Sequence, residues 1–89
     1  MRSSRVIPIV LYGRDGCHLC DVAAEALVRA AKRLPIRVDY FDIDGDVALE
    51  ARFGERIPVV ADASGAILCE GKVSETRLRA SLRTLVGSR

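Results

Sequence analysis

Two cysteines separated by two residues, Cys17 and Cys20, are the pair in this sequence whose type and spacing can do chemistry. They stand where a loop is predicted to become a helix, and residues i and i+3 of a helix share one face, with Cβ atoms about 5 to 6 Å apart. That separation is close to what a disulfide requires, so a small adjustment of the first turn can close the bond. The spacing therefore predicts a reversible redox couple.

The two sulfurs are predicted to take different roles because their expected exposures differ. Cys17 comes before the apolar stripe of the helix and is expected to stay accessible, whereas Cys20 is flanked at helical spacing by Ala23 and Leu27 and is expected to be covered. Unpaired N–H groups and the positive end of the helix dipole favour a thiolate at Cys17. We therefore predict Cys17 as the attacking thiol and Cys20 as the resolving thiol.

The charged neighbours of the pair act in both directions. Arg14 and a protonated His18 would support a thiolate at Cys17, whereas Asp15 and Asp21 oppose it. We expect the helix terminus to prevail, since its donors can touch the sulfur while the carboxylates can turn to water. His18 is predicted to tune the redox potential of the cysteines rather than to transfer protons.

Metal or iron–sulfur binding is the main alternative for the same residues. Cys17, His18 and Cys20 are competent ligands, and Cys69 can supply a further sulfur. Structural zinc usually has four ligands, and the sequence has no second C-x-x-C or His pair, so we predict no metal site. Cys69, in a predicted strand, is most simply a small buried hydrophobe. A third alternative, a fold used only as an interaction module, would leave both thiols ordinary.

The bulk composition is that of one globular domain. The 89 residues are 49% hydrophobic and 29% charged, which predicts a single domain over residues 1–89 with a core over about residues 6–86. The net charge of +2 is too small to indicate nucleic acid or an anionic membrane as a partner. No stretch approaches the ~18 to 20 apolar residues of a membrane helix.

The N-terminal segment carries basic residues before an apolar run, as a signal peptide does. That run covers only residues 6–12, contains Pro8 and is not followed by a small-residue cleavage pattern. A strand preceded by a short basic tail is therefore predicted. We accordingly expect the protein in the cytoplasm, where a disulfide of Cys17 and Cys20 would be transient.

The first half of the chain is predicted to form a βαβ unit. Residues 6–12 are a β-branched apolar run and residues 36–43 alternate in polarity, which indicates two strands. The helix between them begins near Leu19 and is stopped by Pro35. The crossover rule makes the two strands parallel.

The second half is predicted to add a helix, a hairpin and a final helix, so that the whole order is β-α-β-α-β-β-α. The short helix GDVALEARFG is opened by Asp44 or Asp46 as a cap and closed by Gly54. The segment IPVVADASGAILCEG predicts two antiparallel strands joined by a turn at residues 63–65. The last helix begins near Ser74.

Pro58 is the other residue with a predicted place at the site. It opens the third strand in RIPVV, beside the point where the first strand delivers the cysteine loop. A cis proline here would expose the Ile57 backbone to pair with an extended substrate by strand addition. A trans proline that opens an edge strand is the structural alternative.

These residues resemble a known family. VLYGRDGCHLCDVAAEAL, the IPVV segment and the order of elements are similar to the glutaredoxin-like branch of the thioredoxin superfamily, over about residues 6–86. The resemblance implies a four-stranded mixed sheet flanked by three helices, with Cys17 as nucleophile, Cys20 as resolving thiol and Pro58 as a cis-proline facing them. It also implies a small dithiol thiol–disulfide oxidoreductase that reduces protein or glutathione mixed disulfides.

The sequence departs from the glutathione-binding pattern of that family. Such glutaredoxins usually carry Pro and an aromatic residue between the cysteines, a Thr-Val-Pro segment, and a Gly-Gly pair followed by Asp. This chain has His18 and Leu19 between the cysteines, Arg56-Ile57-Pro58 in the second segment, and GKVSE in the third. In the last of these, Lys72 replaces the second glycine and Glu75 replaces the aspartate.

The partners implied by the resemblance are disulfide-containing proteins or glutathione. No tightly bound cofactor is expected; glutathione is a candidate co-substrate, and the reductant is either glutathione or a thioredoxin-reductase type of donor. Gly71 can still meet a small peptide at the N-terminus of the last helix. The candidate substrate-binding residues are Tyr12, Arg14, Ile57, Pro58 and Gly71.

Overall fold

The computed structural model describes residues 6–87, and the predicted basic tail before residue 6 lies outside this range, as do the last two residues. Seven elements follow one another in the predicted order. They are β1 (Ile7–Gly13), α1 (His18–Ala31), β2 (Ile36–Asp42), α2 (Val47–Phe53), β3 (Val59–Asp62), β4 (Ile67–Glu70) and α3 (Glu75–Gly87).

The four strands form one mixed sheet in the order β2-β1-β3-β4. β1 is parallel to β2 and antiparallel to β3, and β3 is antiparallel to β4. The parallel pair confirms the predicted βαβ crossover, and the antiparallel pair confirms the predicted hairpin. β1 is a central strand, so the loop that carries Cys17 leaves from the middle of the sheet rather than from its edge.

The main core lies between the sheet and the helices α1 and α3. Alternate residues of β1, Ile9 and Leu11, face this layer and are buried, because successive strand side chains point to opposite faces. The helices contribute small and branched residues at i, i+3 and i+4 spacing. Those buried in the cluster are Ala23, Ala26, Leu27 and Ala30 of α1 and Leu78 and Leu82 of α3.

α2 covers part of the opposite face of the sheet. Tyr12 of β1 points away from the layer that holds Leu11, and its ring stacks on Phe53 of α2 with the centroids 4.7 Å apart. Phe41 of β2 completes this aromatic cluster at 5.9 Å from Tyr12. The cysteine loop therefore leaves a strand that is packed on both faces.

Two element ends differ in detail from the sequence predictions. α1 ends at Ala31, and the N–H groups of Arg33 and Leu34 both donate to the carbonyl of Ala30, at 3.0 and 2.9 Å. This tighter final turn reflects the exclusion of α-helical backbone angles from the residue that precedes Pro35. The helix thus stops before the proline rather than at it.

Asp46, and not Asp44, caps α2. Its Oδ1 accepts from the N–H of Leu49 at 3.0 Å, whereas Asp44 is bound by Arg14. Gly54 ends the helix as predicted, but with a right-handed φ of −52° rather than in the left-handed region. A Cβ at this position would stand 2.6 Å from the carbonyl oxygen of Glu50, so close packing, and not a left-handed turn, requires the glycine. None of the helices described within residues 6–87 is long and apolar enough to cross a membrane.

Candidate functional site

The cysteines and Pro58 come together because the end of β1 lies beside the start of β3. Tyr12 pairs with Val59 across the antiparallel ladder, which puts Pro58 next to the loop that follows β1. Gly16 in this loop has a φ of +80°, a conformation that glycine adopts without strain, and the chain then turns into α1. The loop therefore delivers Cys17 to the end of the sheet at which β1 finishes and β3 begins.

Cys17 and Cys20 are joined by a disulfide, with their Cα atoms 5.2 Å apart. Cys17 is the N-cap residue of α1: its backbone is extended, and its Sγ accepts a hydrogen bond from the N–H of Cys20 at 3.1 Å. Its carbonyl accepts the first helical bond, from Asp21 at 3.1 Å. A helix N-terminal N–H is thus already aimed at the sulfur predicted to carry negative charge in the reduced state.

The two sulfurs differ in exposure as the sequence predicted. Cys17 is half-buried, whereas Cys20 is only 1% exposed because it faces the layer that α1 shares with the sheet. An incoming disulfide or thiolate can therefore reach Cys17 and not Cys20.

Gly13, the last residue of β1, makes the close approach behind the disulfide possible. A Cβ on Gly13 would stand 2.9 Å from Sγ of Cys20 and 3.0 Å from the hydroxyl of Tyr40. Since both atoms lie within 3.0 Å of the same point, the sulfur of Cys20 and the hydroxyl of Tyr40 are close to each other. Only a residue without a side chain fits between the strand and the buried cysteine.

Tyr40 is a neighbour of Cys20 that the sequence did not place at the site. Burial raises the pKa of Tyr40, and the carboxylates of Asp42, Asp15 and Asp21 raise it further. The phenol therefore stays protonated at neutral pH, with an O–H donor close to the buried cysteine. The feature that identifies Tyr40 as a site residue is the parallel register of β1 and β2. This register places Tyr40 opposite Leu11, on the face of the sheet that packs against α1.

The Ile57–Pro58 peptide bond is cis, which decides between the two alternatives left open by the sequence. Pro58 is fully buried, and its carbonyl accepts a hydrogen bond from the N–H of Gly71 at 2.8 Å. The same N–H lies 3.2 Å from the carbonyl of Arg56, whose side chain binds Glu70 at 2.6 Å. Gly71, a predicted substrate contact, thus also fastens the proline segment to the end of β4.

The backbone of Ile57 is only partly free to pair with a substrate. Its N–H donates to the carbonyl of Phe53 at 3.1 Å. Its carbonyl accepts no backbone hydrogen bond from the part of the chain that the structure describes. The carbonyl of Ile57 is therefore available to pair with an extended chain, whereas its N–H is already bound.

The other predicted residues lie in different surroundings. The guanidinium of Arg14 is 2.9 Å from Asp44 and 3.6 Å from Glu50, so its charge is offset by two carboxylates instead of being directed at Cys17. His18 is exposed as the first residue of α1. The ring of Tyr12 packs on the α2 face of the sheet.

Glu75, which stands where the family pattern has an aspartate, is engaged by two arginines. Arg29 donates to both of its carboxylate oxygens at 2.9 and 2.8 Å, and Arg79 donates at 3.1 Å. Hydrogen bonding and charge from Arg29, followed by those of Arg79, hold the pKa of this carboxyl below its usual range. Glu75 therefore ties α3 to α1.

Cys69 is a free, half-buried cysteine on β4, opposite Val60 of β3. Burial raises the pKa of its thiol, and Glu70 raises it further. Among residues 6–87 no three or more His, Cys, Asp or Glu side chains are grouped so that they could hold a metal ion. Cys69 is thus not gathered with Cys17 and Cys20 into a ligand set, and it packs against the core.

Comparison with known proteins gives matches over most of the chain. Residues 8–83 match the family model described as a glutaredoxin-like domain (DUF836). The chain is 35% identical over 86 residues to Rv0508, an uncharacterized protein of Mycobacterium tuberculosis, and the match covers 90% of this chain and 88% of that protein.

Solved structures also resemble this chain. The protein XcR50 from X. campestris is 42% identical, with a TM-score of 0.73 over 85% of this chain and 96% of that one. A mutant thioredoxin from Halobacterium salinarum is 21% identical, with a TM-score of 0.69 over 90% of this chain and 74% of that one. The second likeness identifies the fold as thioredoxin-like.

Proposed function

This chain belongs to the glutaredoxin-like domain family (DUF836), and we propose that it is a dithiol thiol–disulfide oxidoreductase that reduces protein or glutathione mixed disulfides. The observation that carries the proposal is the Cys17–Cys20 disulfide, which joins an accessible sulfur at a helix N-cap to a buried one. Such a pair can store two electrons and expose only one sulfur to a partner.

In the first step the thiolate of Cys17 attacks one sulfur of the substrate disulfide. A bond forms between Cys17 and that sulfur, the substrate disulfide breaks, and the second substrate sulfur leaves as a thiolate that takes a proton from water. The N–H of Cys20, which already donates to Cys17 Sγ at 3.1 Å, supports the attacking thiolate. His18, at the start of α1, is proposed to tune the redox potential of the two cysteines.

In the second step Cys20 loses its proton and attacks Sγ of Cys17. The intramolecular disulfide forms, the mixed disulfide breaks, and the bound substrate sulfur leaves as the second thiolate. Two electrons have then passed from the cysteine pair to the substrate. A Cα separation of 5.2 Å lies within the range that disulfides span, so α1 need not move for this step.

The protein is then restored by an outside reductant, either glutathione or a thioredoxin-reductase type of donor. No tightly bound cofactor is needed for the exchange, because both electrons are held by sulfur. A cytoplasmic location fits this cycle, since thiol pools there return the pair to the dithiol.

Substrate contacts are proposed on the rim formed by the proline segment. The free carbonyl of Ile57 is placed to accept a hydrogen bond from an extended substrate strand, with Pro58 and Gly71 holding the segment in position. Tyr12 and Arg14 are the further candidates on the β1 side. A carboxylate at Glu75, with both oxygens already bound by Arg29, would repel a glutathione carboxylate at the start of α3, which makes protein disulfides the better candidate substrates.

The roles of the two cysteines can be tested by trapping. With Cys20→Ser we expect a stable mixed disulfide between Cys17 and a disulfide substrate, because the resolving thiol is missing. With Cys17→Ser we expect exchange to be abolished. Alkylation followed by peptide mass spectrometry identifies the linkage, and a redox titration of the unmodified protein should give one two-electron transition.

Cys69→Ser serves as the matched control, since it removes a cysteine that lies on β4 and is not grouped with the pair. It is expected to leave the transition and the exchange rate unchanged. Equal exchange in both active-site variants would refute the assigned roles. A stoichiometric metal on the purified protein, lost in Cys69→Ser, would instead support a metal carrier.

A further inference from the structure

We propose that the cleft between α1 and α3, at the end of α1 away from the cysteines, is a binding site for a small multivalent anion of the phosphate class. The site is separate from the thiol chemistry. α1 has 14 residues, so at about 1.5 Å per residue its two ends are about 21 Å apart. The inference therefore does not rest on the proposed function.

The cleft has a volume of about 380 Å³ and a lining of one chemical kind. All five side chains that line it are cationic. They are Arg29, Lys32 and Arg33, at and just beyond the end of α1, and Arg79 and Arg83 of α3.

These five residues converge because of their spacing on two packed helices. Residues 29, 32 and 33 are related by i, i+3 and i+4, which puts them on one face at the C-terminal end of α1. Residues 79 and 83 are one helical turn apart on α3. Since both helices pack on the same core cluster, the two basic faces border one cleft.

The positive charge of the cleft is compensated only in part. Glu75 binds Arg29 through both carboxylate oxygens and also binds Arg79. Lys32, Arg33 and Arg83 form no ion pair with any acidic residue within residues 6–87. Within residues 6–87, Glu75 is thus the one carboxylate that forms ion pairs with these five cations, in a chain whose net charge is only +2.

The chemistry of the lining selects the class of ligand. Guanidinium groups present several N–H donors in a planar fork that matches the oxygens of phosphate, and lysine adds a point charge. A cavity of about 380 Å³ is within the range of small-ligand sites and holds more than a single phosphate group. No aromatic side chain of the described chain is among the lining residues, so a nucleobase would find nothing to stack on. The site therefore fits the phosphate chain itself.

The test is calorimetric titration of the full-length protein with inorganic tripolyphosphate at physiological salt, followed by amide NMR shifts. We expect saturable one-to-one binding that weakens as salt rises, with the shifts centred on residues 29–33 and 79–83. The double variant Lys32→Gln/Arg83→Gln removes two cations that have no acidic partner, and we expect it to weaken binding at least ~10-fold.

The matched control is Arg52→Gln/Arg77→Gln, which makes the same change of net charge outside the cleft and includes a residue of α3. It is expected to bind tripolyphosphate as the unmodified protein does. Adenosine triphosphate is expected to bind no more tightly than tripolyphosphate, because the base has no partner. Absence of saturable binding, equal losses in the two double variants, or much tighter binding of the nucleotide would each overturn the proposal.

Discussion

Gly13 brings the end of β1 into van der Waals range of the buried half of the disulfide. Its place between Cys20 and Tyr40 depends on atoms from α1 and β2 that are far apart in the chain. The residue contributes no chemical group to the site. Because it has no side chain, it leaves room for the sulfur of Cys20 and the hydroxyl of Tyr40.

Gly13→Ala is expected to destabilise the oxidised protein by about 1–3 kcal/mol, the usual cost of overpacking. The new Cβ would stand 2.9 Å from Sγ and 3.1 Å from Cβ of Cys20, and a disulfide-bonded side chain cannot easily move away. Urea unfolding of the oxidised form measures the difference. The matched control is Gly87→Ala at the end of α3, where an added Cβ meets nothing within 4 Å. Equal stability of the two variants would show that the packing at Gly13 is loose.

Part of the candidate site could be predicted from short segments of the sequence, and the rest depends on tertiary contacts. The i, i+3 spacing of Cys17 and Cys20 and the proline at the start of a strand can be recognised in short segments, and the structure places them together. Gly13 and Tyr40 meet through the parallel register of β1 and β2, which depends on how the whole sheet packs. The engagement of Arg14 by Asp44 and Glu50 is likewise a tertiary contact, so its loss of influence on Cys17 could not be inferred from the sequence.

The hairpin of β3 and β4 illustrates how far sequence reasoning reaches at the scale of elements. Its two strands and the turn at residues 63–65 follow from local composition and are present in the structure. The register shift between Val60 and Ala61 and the role of Asp62 were not predicted. Asp44 and Asp46 were equally competent caps for α2, and the binding of Asp44 by Arg14 leaves Asp46 as the cap.

Asp62→Ala is expected to lower the free energy of unfolding by about 1–2 kcal/mol at neutral pH. The carboxylate of Asp62 accepts hydrogen bonds from the N–H and the hydroxyl of Ser64, at 2.9 and 2.7 Å, and from the N–H of Ala66 at 3.0 Å. These bonds tie the turn to the end of β3. Urea unfolding measures the loss, and Asp39→Ala, which removes only an exposed contact with Arg37 at 3.4 Å, is the control.

The same substitution has an expected pH dependence. The hydrogen bond from Ser64, with further bonds from backbone N–H groups, lowers the pKa of Asp62 in the folded state. Its contribution is therefore complete above the ordinary aspartate pKa of about 3.9 and is lost as pH falls through the lower folded value. The stability difference between the unmodified protein and Asp62→Ala should shrink on acidification. A difference that stays constant into strong acid would mean that the carboxylate's charge does not matter.

Across the whole molecule, opposite charges are concentrated at the two ends of α1. The acidic residues that raise the pKa of Tyr40 lie around the cysteine end and are Asp42, Asp15, Asp21 and Asp44. The basic residues of the α1–α3 cleft lie at the other end. The net charge of +2 does not show this separation, because it is a sum over the whole sequence and carries no information on where the fold places each charge. Helical spacing indicates that Arg79 and Arg83 are exposed, but not that the basic face of α1 lies beside them.

This separation predicts a preference among substrates of the proposed exchange reaction. At low salt, reduction of cystamine, a cation, should be favoured over reduction of glutathione disulfide, an anion, because the carboxylates near the cysteines attract the first and repel the second. We expect the ratio of the two rates to fall about 3- to 10-fold as salt is raised, since screening shortens the reach of these charges. Each rate is divided by that of dithiothreitol with the same disulfide, which removes differences in leaving-group chemistry.

Asp21→Asn should reduce the salt dependence of that ratio, because Asp21 lies in the first turn of α1, next to Cys20. Glu25→Gln, one turn farther along the same helix, is the matched control: Glu25 acts on Arg29 and is not among the groups that act on Tyr40. If the ratio is independent of salt while exchange through Cys17 proceeds normally, the acidic surroundings do not steer the substrate, and selection must come from contacts at the proline segment. If neither disulfide is reduced at all, the proposed exchange reaction itself is wrong. The two failures are therefore distinguishable in one set of measurements.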